Sequence, residues 1–228
     1  MTSSDSGKRA RPPKRDLADL VMPRRPSGVP YAQSDDYDAQ ALLTANEFST
    51  ETEELIVLLD SELGIFQAAA ARTLGARNAR TAIEALTRLA QNAAIEETAR
   101  VQAAFALARM QVAGAREILA RLLELNPEAS PAPLQAASAL ACLGDPSGFK
   151  QVRSALDSQN SLTAMIACKQ LFAFAEFDGR PLPGGGVVDM YGAFKRALSR
   201  PERNIYGEAV AQLIALDTPP ARALLAAN

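Results

Sequence analysis

Residues 100–125 read RVQAAFALARMQVAGAREILARLLEL, and this stretch decides the fold. It contains two apolar segments with helical spacing, one rich in alanine and one amphipathic, on either side of Gly114. Alanine is the best helix former and glycine commonly ends a helix, so the stretch predicts two helices joined by a tight turn. The rest of the chain can be interpreted from this helical hairpin.

The hairpin recurs along the chain at intervals of about 33 residues. In the second, amphipathic helices Leu86 is followed by Leu119 and Val152, and a shift of 42 then reaches Phe194 because a loop at 178–186 is inserted. The first, alanine-rich helices align less regularly, with spacings of 36, 33 and 28 between Leu74, Met110, Leu143 and Leu171. Two helices in each repeat of this length indicate an α-solenoid, in which every hairpin buries its apolar face against its neighbours.

The fold class predicted from this pattern is all-α, an α-solenoid of about four to five hairpins with a disordered N-terminal arm. The first helices are predicted at 64–74, 97–110, 132–143, 162–175 and 205–216. The second helices are predicted at 80–90, 116–125, 149–156 and 188–198. A short helix at 37–46 precedes them, and Thr50 with Glu53 predicts a capped start for the next helix.

Composition and charge divide the 228 residues into three segments. Apolar residues make up 48% of the chain, enough for a core, but aromatic residues only 5%. Residues 1–33 hold seven Lys/Arg and three Asp, whereas residues 34–62 hold nine Asp/Glu and no basic residue. We therefore predict a disordered basic arm at 1–36, an acidic segment with a short helix and a capping helix at 37–62, and the solenoid at 63–228.

Residues 100–109 and 134–146 resemble HEAT repeats of the phycobilisome-lyase-like class, which repeat an R-x-x-A-A-x-A-L-x-x-L-G-D pattern. Arg100 matches the arginine, Ala103 and Ala104 match the paired alanines, and Gly144 with Asp145 matches the turn. The resemblance covers about residues 55–225. It implies a HEAT-type solenoid and a bias toward protein contact. The first unit departs from the pattern, since Ile65 or Phe66 stands near the arginine site, and the fourth unit lacks the Gly-Asp turn.

The sequence argues against catalysis. It contains no histidine, which removes the commonest general base, the commonest metal ligand and every Ser–His or Cys–His arrangement. Cys142 and Cys168 lie in separate predicted helices among apolar neighbours, so we expect reduced core residues. We expect no cofactor and no enzyme activity. The alternative is a bilin-lyase-like enzyme, which the resemblance allows because the repeat class includes such proteins.

Two further motifs are weak as ligand sites. Asp36, Asp38, Gln40 and Glu47 fall at positions 1, 3, 5 and 12 of a calcium-binding loop, but the glycine of position 6 is replaced by alanine. We expect no metal there. The glycines at 184–186 lack the lysine and the strand-to-helix context of a phosphate loop, so the prediction is a flexible insertion between helices or a contact loop.

The second helices also place equivalent residues in one row, namely Arg88, Arg121, Ser154 and Arg196. Second helices generally line the concave face of HEAT-like arrays, so the resemblance implies three guanidinium groups facing an acidic partner. The alternative is ordinary surface pairing. Glu84 precedes Arg88 and Glu117 precedes Arg121 by four residues, the favourable order for an ion pair along a helix.

The arm carries a polybasic run of Lys8, Arg9, Arg11, Lys14 and Arg15. Such a run suits nucleic acid, an anionic membrane or an acidic protein, and it also serves as a solubilising tail. The leading hypothesis is a non-catalytic scaffold or adaptor that holds a protein partner of unknown identity on its solenoid surface, aided by the arm. Without a secretory leader or a long apolar run, we expect a cytoplasmic protein, and the alanine and arginine usage suggests a bacterial one.

Overall fold

The computed structural model of the protein describes residues 39, 42–44, 48 and 50–227, and in this part of the chain the regular secondary structure is helical apart from one isolated β-bridge between Pro181 and Val187. We number the α-helices from residue 50 onward as α1 (Thr52–Leu58), α2 (Gly64–Ala76), α3 (Ile83–Gln91), α4 (Glu97–Arg109), α5 (Ala115–Leu123), α6 (Ala132–Cys142), α7 (Phe149–Ala155), α8 (Ser161–Gln170), α9 (Met190–Leu198), α10 (Arg203–Leu216) and α11 (Pro219–Ala226).

The all-α prediction and its nine repeated helices are confirmed, with small differences at the ends. Short 3-10 turns precede two second helices, at Arg80–Ala82 before α3 and Pro146–Gly148 before α7. The predicted helix at 162–175 is α8 followed by a 3-10 helix, Leu171–Phe177. The predicted capping box at Thr50 is wrong, because α1 begins after Glu51 and no side chain caps it. The C-terminal helix α11 was not predicted.

The first helices follow the same period as the second helices. The alignment that gave spacings of 36, 33 and 28 between them was wrong. Helix α2 spans 64–76 and α4 spans 97–109, so both ends shift by 33 residues. The buried leucines that correspond are Leu74, Leu107 and Leu140, each preceded by two buried alanines at the same offset. The irregular spacing came from comparing residues at different turns of these helices.

Packing connects each helix to its neighbours in sequence order. The first helices α2, α4, α6, α8 and α10 stack directly one on the next, and each of α1, α3, α5, α7 and α9 packs against the first helix that follows it. The backbones of the second helices do not approach one another as closely. Two apolar clusters result, one from Ala39 to Leu140 and one from Leu134 to Ala221, and α6 contributes side chains to both.

The two kinds of helix differ in composition because they differ in surroundings. Helix α4 is buried on several sides, with Ala99, Val101, Ala103 and Ala104 all 0% exposed. Small side chains there let neighbouring backbones approach closely: a Cβ built on Gly75 of α2 would lie 2.6 Å from the Cβ of Ala106 in α4. Second helices such as α5 bury one stripe only and expose the other, the pattern of a helix at a surface.

The described residues of the acidic segment join the same core. Residues 39 and 42–44 are helical, in agreement with part of the helix predicted at 37–46, and the rest of that prediction lies outside the described residues. Leu43 is fully buried, and the ring of Phe48 packs edge-on against Phe66 with centroids 4.7 Å apart. The apolar core therefore crosses the boundary predicted at residue 63.

Gln67, not Ile65 or Phe66, occupies the position that corresponds to Arg100. Its side-chain amide donates hydrogen bonds to the carbonyl oxygens of Leu59, at 3.1 Å, and Ser61, at 2.8 Å, just beyond α1. Arg100 donates in the same way to the carbonyl of Ala90, in the last turn of α3, at 3.3 Å. Both side chains satisfy carbonyl groups that a helix end leaves without an intrahelical partner.

Candidate interaction surface

The predicted basic row is exposed, but it is not a cluster. Arg88, Arg121 and Arg196 stand at equivalent, exposed positions of α3, α5 and α9. Arg88 pairs with Glu84 of its own helix at 3.1 Å, as the alternative prediction expected. Arg196 pairs with Asp157, just beyond α7. The structure therefore gives two of the three guanidinium groups a local acidic partner.

Arg121 differs from the other two members of the row. Its Nε donates a hydrogen bond to the backbone carbonyl of Glu117, at 3.3 Å, so the side chain lies along its own helix. The backbones of the helices that carry the row approach one another less closely than those of the first helices, and the three cations stand on separate elements. The basic residues of the arm, Lys8, Arg9, Arg11, Lys14 and Arg15, lie outside the described residues, as do the calcium-loop candidates Asp36, Asp38, Gln40 and Glu47.

A second surface, which sequence reasoning missed, runs across the first helices. On α4 the half-exposed or exposed side chains recur at every third or fourth residue, at Thr98, Gln102, Phe105 and Arg109. This spacing places them on one side of the helix. We call the corresponding stripes of α2, α4, α6 and α8, taken together, the first-helix face. Its members are Arg72, Thr98, Gln102, Phe105, Arg109, Gln135, Ser138, Cys142, Leu162, Met165, Ile166 and Lys169.

Contacts link neighbouring stripes of the first-helix face at its N-terminal end. The guanidinium of Arg72 on α2 donates to the side-chain oxygen of Gln102 on α4 at 3.1 Å. One helical turn further along α4, the guanidinium of Arg109 lies over the ring of Phe105, with its central carbon 5.8 Å from the ring centroid. The face is therefore polar and internally bonded where α2 meets α4.

The same face becomes apolar on α8. Leu162 is 57% exposed, one of the few large apolar side chains to reach solvent, and Met165 and Ile166 beside it are half-buried. Exposed apolar side chains that lie together mark contact sites more often than single ones do. A methionine among them suits a binding surface, because its flexible thioether adapts to different shapes.

The two cysteines lie in different environments, and the prediction that both are core residues is wrong for Cys142. Cys142 is exposed at the end of α6, whereas Cys168 is fully buried in α8. Burial raises the pKa of the Cys168 thiol well above its ordinary value, and the nearby carboxylate of Glu208 raises it further. Cys168 is therefore a neutral thiol of the core, and Cys142 is accessible to reagents.

The glycine-rich insertion is closed by backbone hydrogen bonds. The amide of Gly179 donates to the carbonyl of Val188 at 2.8 Å, and the amide of Leu182 donates to the carbonyl of Gly186 at 2.9 Å. Leu182 and Val188 are buried, and the ammonium group of Lys150 donates to the carbonyl of Gly184 at 3.2 Å. The insertion is thus a hairpin that Leu182 and Val188 anchor to the second core cluster, while its other residues are exposed.

The ion pair between Arg200 and Glu202 helps to connect the loop after α7 to the start of α10. Arg200 donates to both oxygens of Glu202, at 2.6 and 3.0 Å, and to the carbonyl oxygens of Leu156 and Ser158. The hydrogen bonds from Arg200 lower the pKa of Glu202 below its ordinary value. The Arg200 guanidinium therefore links two neighbouring hairpins through its hydrogen bonds.

The described part of the chain offers neither a metal-binding cluster nor a membrane-spanning helix. No group of three or more His, Cys, Asp or Glu side chains is arranged to hold a metal ion among these residues. The helices found there are also too short or too polar to cross a bilayer.

Comparison with known proteins identifies no family. No family model matches the chain, and no curated protein matches it. Among solved structures, the chain is similar to the crystal structure of an engineered protein, at 17% sequence identity and a TM-score of 0.41, over 83% of this chain and 85% of that one.

Proposed function

We propose that this protein is a non-catalytic interaction module, a HEAT-like α-solenoid that holds a partner protein on its first-helix face. The observation that carries the proposal is the row of half-exposed side chains on consecutive first helices, polar at Arg72 and Gln102 and apolar at Leu162, Met165 and Ile166. A surface that changes from polar to apolar along one direction suits an extended or helical segment of a protein, which presents both kinds of side chain in order.

The stacking of the helices supports the choice of this face. The first helices approach one another more closely than the second helices do, because alanine and glycine occupy their contacts. When one layer of a two-layer stack is more closely spaced than the other, the stack curves toward the closer layer. We therefore place the first helices on the concave side, where a partner touches several repeats at once. This differs from the expectation that the second helices line that side.

The basic residues have a supporting role in this proposal. Arg88 and Arg196 already have acidic neighbours, and exposed pairs of this kind contribute only about 0.2–1 kcal/mol each. A carboxylate of an acidic partner can therefore replace Glu84 or Asp157 as the ion-pair partner of the arginine at little cost in free energy. The polybasic run of the arm would raise the association rate with such a partner, with nucleic acid or with an anionic membrane.

Affinity capture with matched variants tests the proposal. The full-length protein is compared with the Leu162→Glu/Met165→Glu variant, which places charge on the apolar part of the first-helix face. Val187→Glu is the control, because Val187 is 52% exposed but lies in the glycine-rich hairpin. We expect the same partner with the wild type and the control, and at least a tenfold loss of recovery with the double variant.

Two other results would contradict the proposal. Equal recovery of the partner by the double variant would remove the first-helix face from binding. Loss of the partner with Arg88→Glu/Arg121→Glu/Arg196→Glu alone would move the site to the second helices.

The bilin-lyase alternative is tested separately, by incubating the protein with a bilin and recording its absorbance spectrum. A spectral shift caused by covalent attachment of the bilin would contradict the non-catalytic part of the proposal.

A further inference from the structure

Helix α10 carries an apolar stripe that the fold leaves in solvent. Tyr206 is 40% exposed, Ile214 is 60% exposed, and Val210 between them is half-buried. The three residues are spaced by four, so they lie along one side of the helix. Together with Leu162 and Val187, Tyr206 and Ile214 are the large apolar side chains that the described part of the chain exposes most.

The stripe lies on the side of α10 opposite α8. On the α8 side of α10, Asn204 reaches the sulfur of Met165 at 3.9 Å, the carboxylate of Glu208 influences Cys168, and Gln212 is buried. Each member of the stripe stands two residues from Glu208 or Gln212, a rotation of about 200° around the helix. The stripe therefore occupies the side of α10 on which a further first helix would stack if the array continued.

We propose that this side of α10 binds the same side of α10 in a second copy of the chain. A helix with an exposed apolar stripe is covered by another helix that carries a matching stripe, and a second copy of the chain supplies α10 itself. The pair is antiparallel around a two-fold axis at Val210, which then faces its own symmetry mate. Tyr206 of each copy faces Ile214 of the other copy, since both lie four residues from the axis.

The charges at the two ends of the stripe fit the same arrangement. Arg203 lies seven residues before Val210 and Asp217 lies seven residues after it, so the antiparallel pair brings each Arg203 against Asp217 of the other copy. Both residues are exposed. Asp217 already binds Arg222 at 3.2 Å, and a carboxylate has room for a second guanidinium. A parallel pair would instead bring like charges together, so the charges favour the two-fold arrangement.

Sedimentation of the full-length protein over a range of concentrations tests the proposal. The contact is small, so we expect a monomer–dimer equilibrium between about 5 and about 500 μM. Ile214→Arg should weaken the dimer at least tenfold without changing the helical circular dichroism. Leu162→Arg, on the exposed side of α8, is the control and should leave the dimer intact. A monomer at every concentration would overturn the proposal, as would equal weakening by both variants.

Charge exchange and cross-linking distinguish this dimer from other self-association. Arg203→Asp should weaken the dimer, and the addition of Asp217→Arg should restore it. In a Cys142→Ser background and with an added thiol oxidant, two copies of the Val210→Cys variant should become joined by a disulfide. Under the same conditions a copy with Tyr206→Cys should cross-link to a copy with Ile214→Cys, and two copies with Tyr206→Cys should react more slowly. A dimer that neither responds to the charge exchange nor cross-links through residue 210 uses a different surface, and the proposal would be wrong.

Discussion

The close contact between α2 and α4 gives a prediction in which the same substitution has opposite effects at two sites. Gly75 lies in α2 against Ala106 of α4, whereas Gly207 lies in α10 with open space where a Cβ would stand. Replacing glycine by alanine within a helix stabilises it by about 1 kcal/mol when nothing else changes. We therefore expect Gly207→Ala to stabilise the protein by about 1 kcal/mol, and Gly75→Ala to destabilise it.

The magnitude at Gly75 follows from the distances. The added Cβ would lie 2.6 Å from the Cβ and 2.8 Å from the Cα of Ala106. Carbon atoms in contact are normally about 3.5–4.0 Å apart, so the two helices must separate by about 1 Å. Overpacking of this kind costs about 1–3 kcal/mol. After the gain in helix propensity is subtracted, we expect a net loss of about 1 kcal/mol.

Thermal and urea unfolding at low protein concentration measure both changes. For a chain of this size, about 1 kcal/mol corresponds to a shift in Tm of about 2–4 °C, downward for Gly75→Ala and upward for Gly207→Ala. Exchanging the two residues in Gly75→Ala/Ala106→Gly removes the clash, and we expect it to return the stability to within about 0.5 kcal/mol of the wild type. If Gly75→Ala stabilises the protein as much as Gly207→Ala does, α2 and α4 are not in close contact and the reasoning is refuted.

Three further predictions follow from buried and paired side chains. In the folded protein a thiol reagent should modify Cys142 quickly and Cys168 only after unfolding, because burial encloses the second thiol and raises its pKa; equal rates would contradict this. Arg200 lowers the pKa of Glu202, so their pairing stabilises the fold fully above the ordinary carboxyl pKa and is lost as the pH falls through the lowered value. The free energy of unfolding in urea should therefore fall less between neutral and acidic pH in Glu202→Gln than in the wild type. The same pH dependence in both proteins would argue against the pair. Gln67→Ala removes two hydrogen bonds to carbonyl groups beside α1 and should cost about 1–3 kcal/mol in urea unfolding; a smaller effect would mean that water replaces the amide.

The helices could be predicted from the sequence because the signal for each one is local. The period of Leu86, Leu119 and Val152 depends only on residues within one repeat, and all three are fully buried as the pattern requires. The prediction failed where alanine dominates. Leu74, Leu107 and Leu140 share the same 33-residue period, but alanines on every side of these helices hide which turn corresponds to which.

The candidate sites were less accessible to sequence reasoning. The arginine row could be found because charged residues recur at one position of an amphipathic helix. The first-helix face could not, since Phe105, Leu162 and Met165 are apolar residues in helices that are otherwise buried. Cys142 was misjudged for the same reason, because its apolar neighbours in sequence do not show that it stands at an exposed helix end.

The sequence by itself determined that the chain is helical, where the repeated helices lie and how often the hairpin recurs, because helical periodicity is a property of neighbouring residues. Only the tertiary structure decided which sides of those helices stay uncovered, among them the stripe of Tyr206, Val210 and Ile214 on α10. The physical reason is that an alanine-rich helix is apolar on nearly every side. The side that faces solvent is then set by the helices stacked against it, which come from residues tens of positions away.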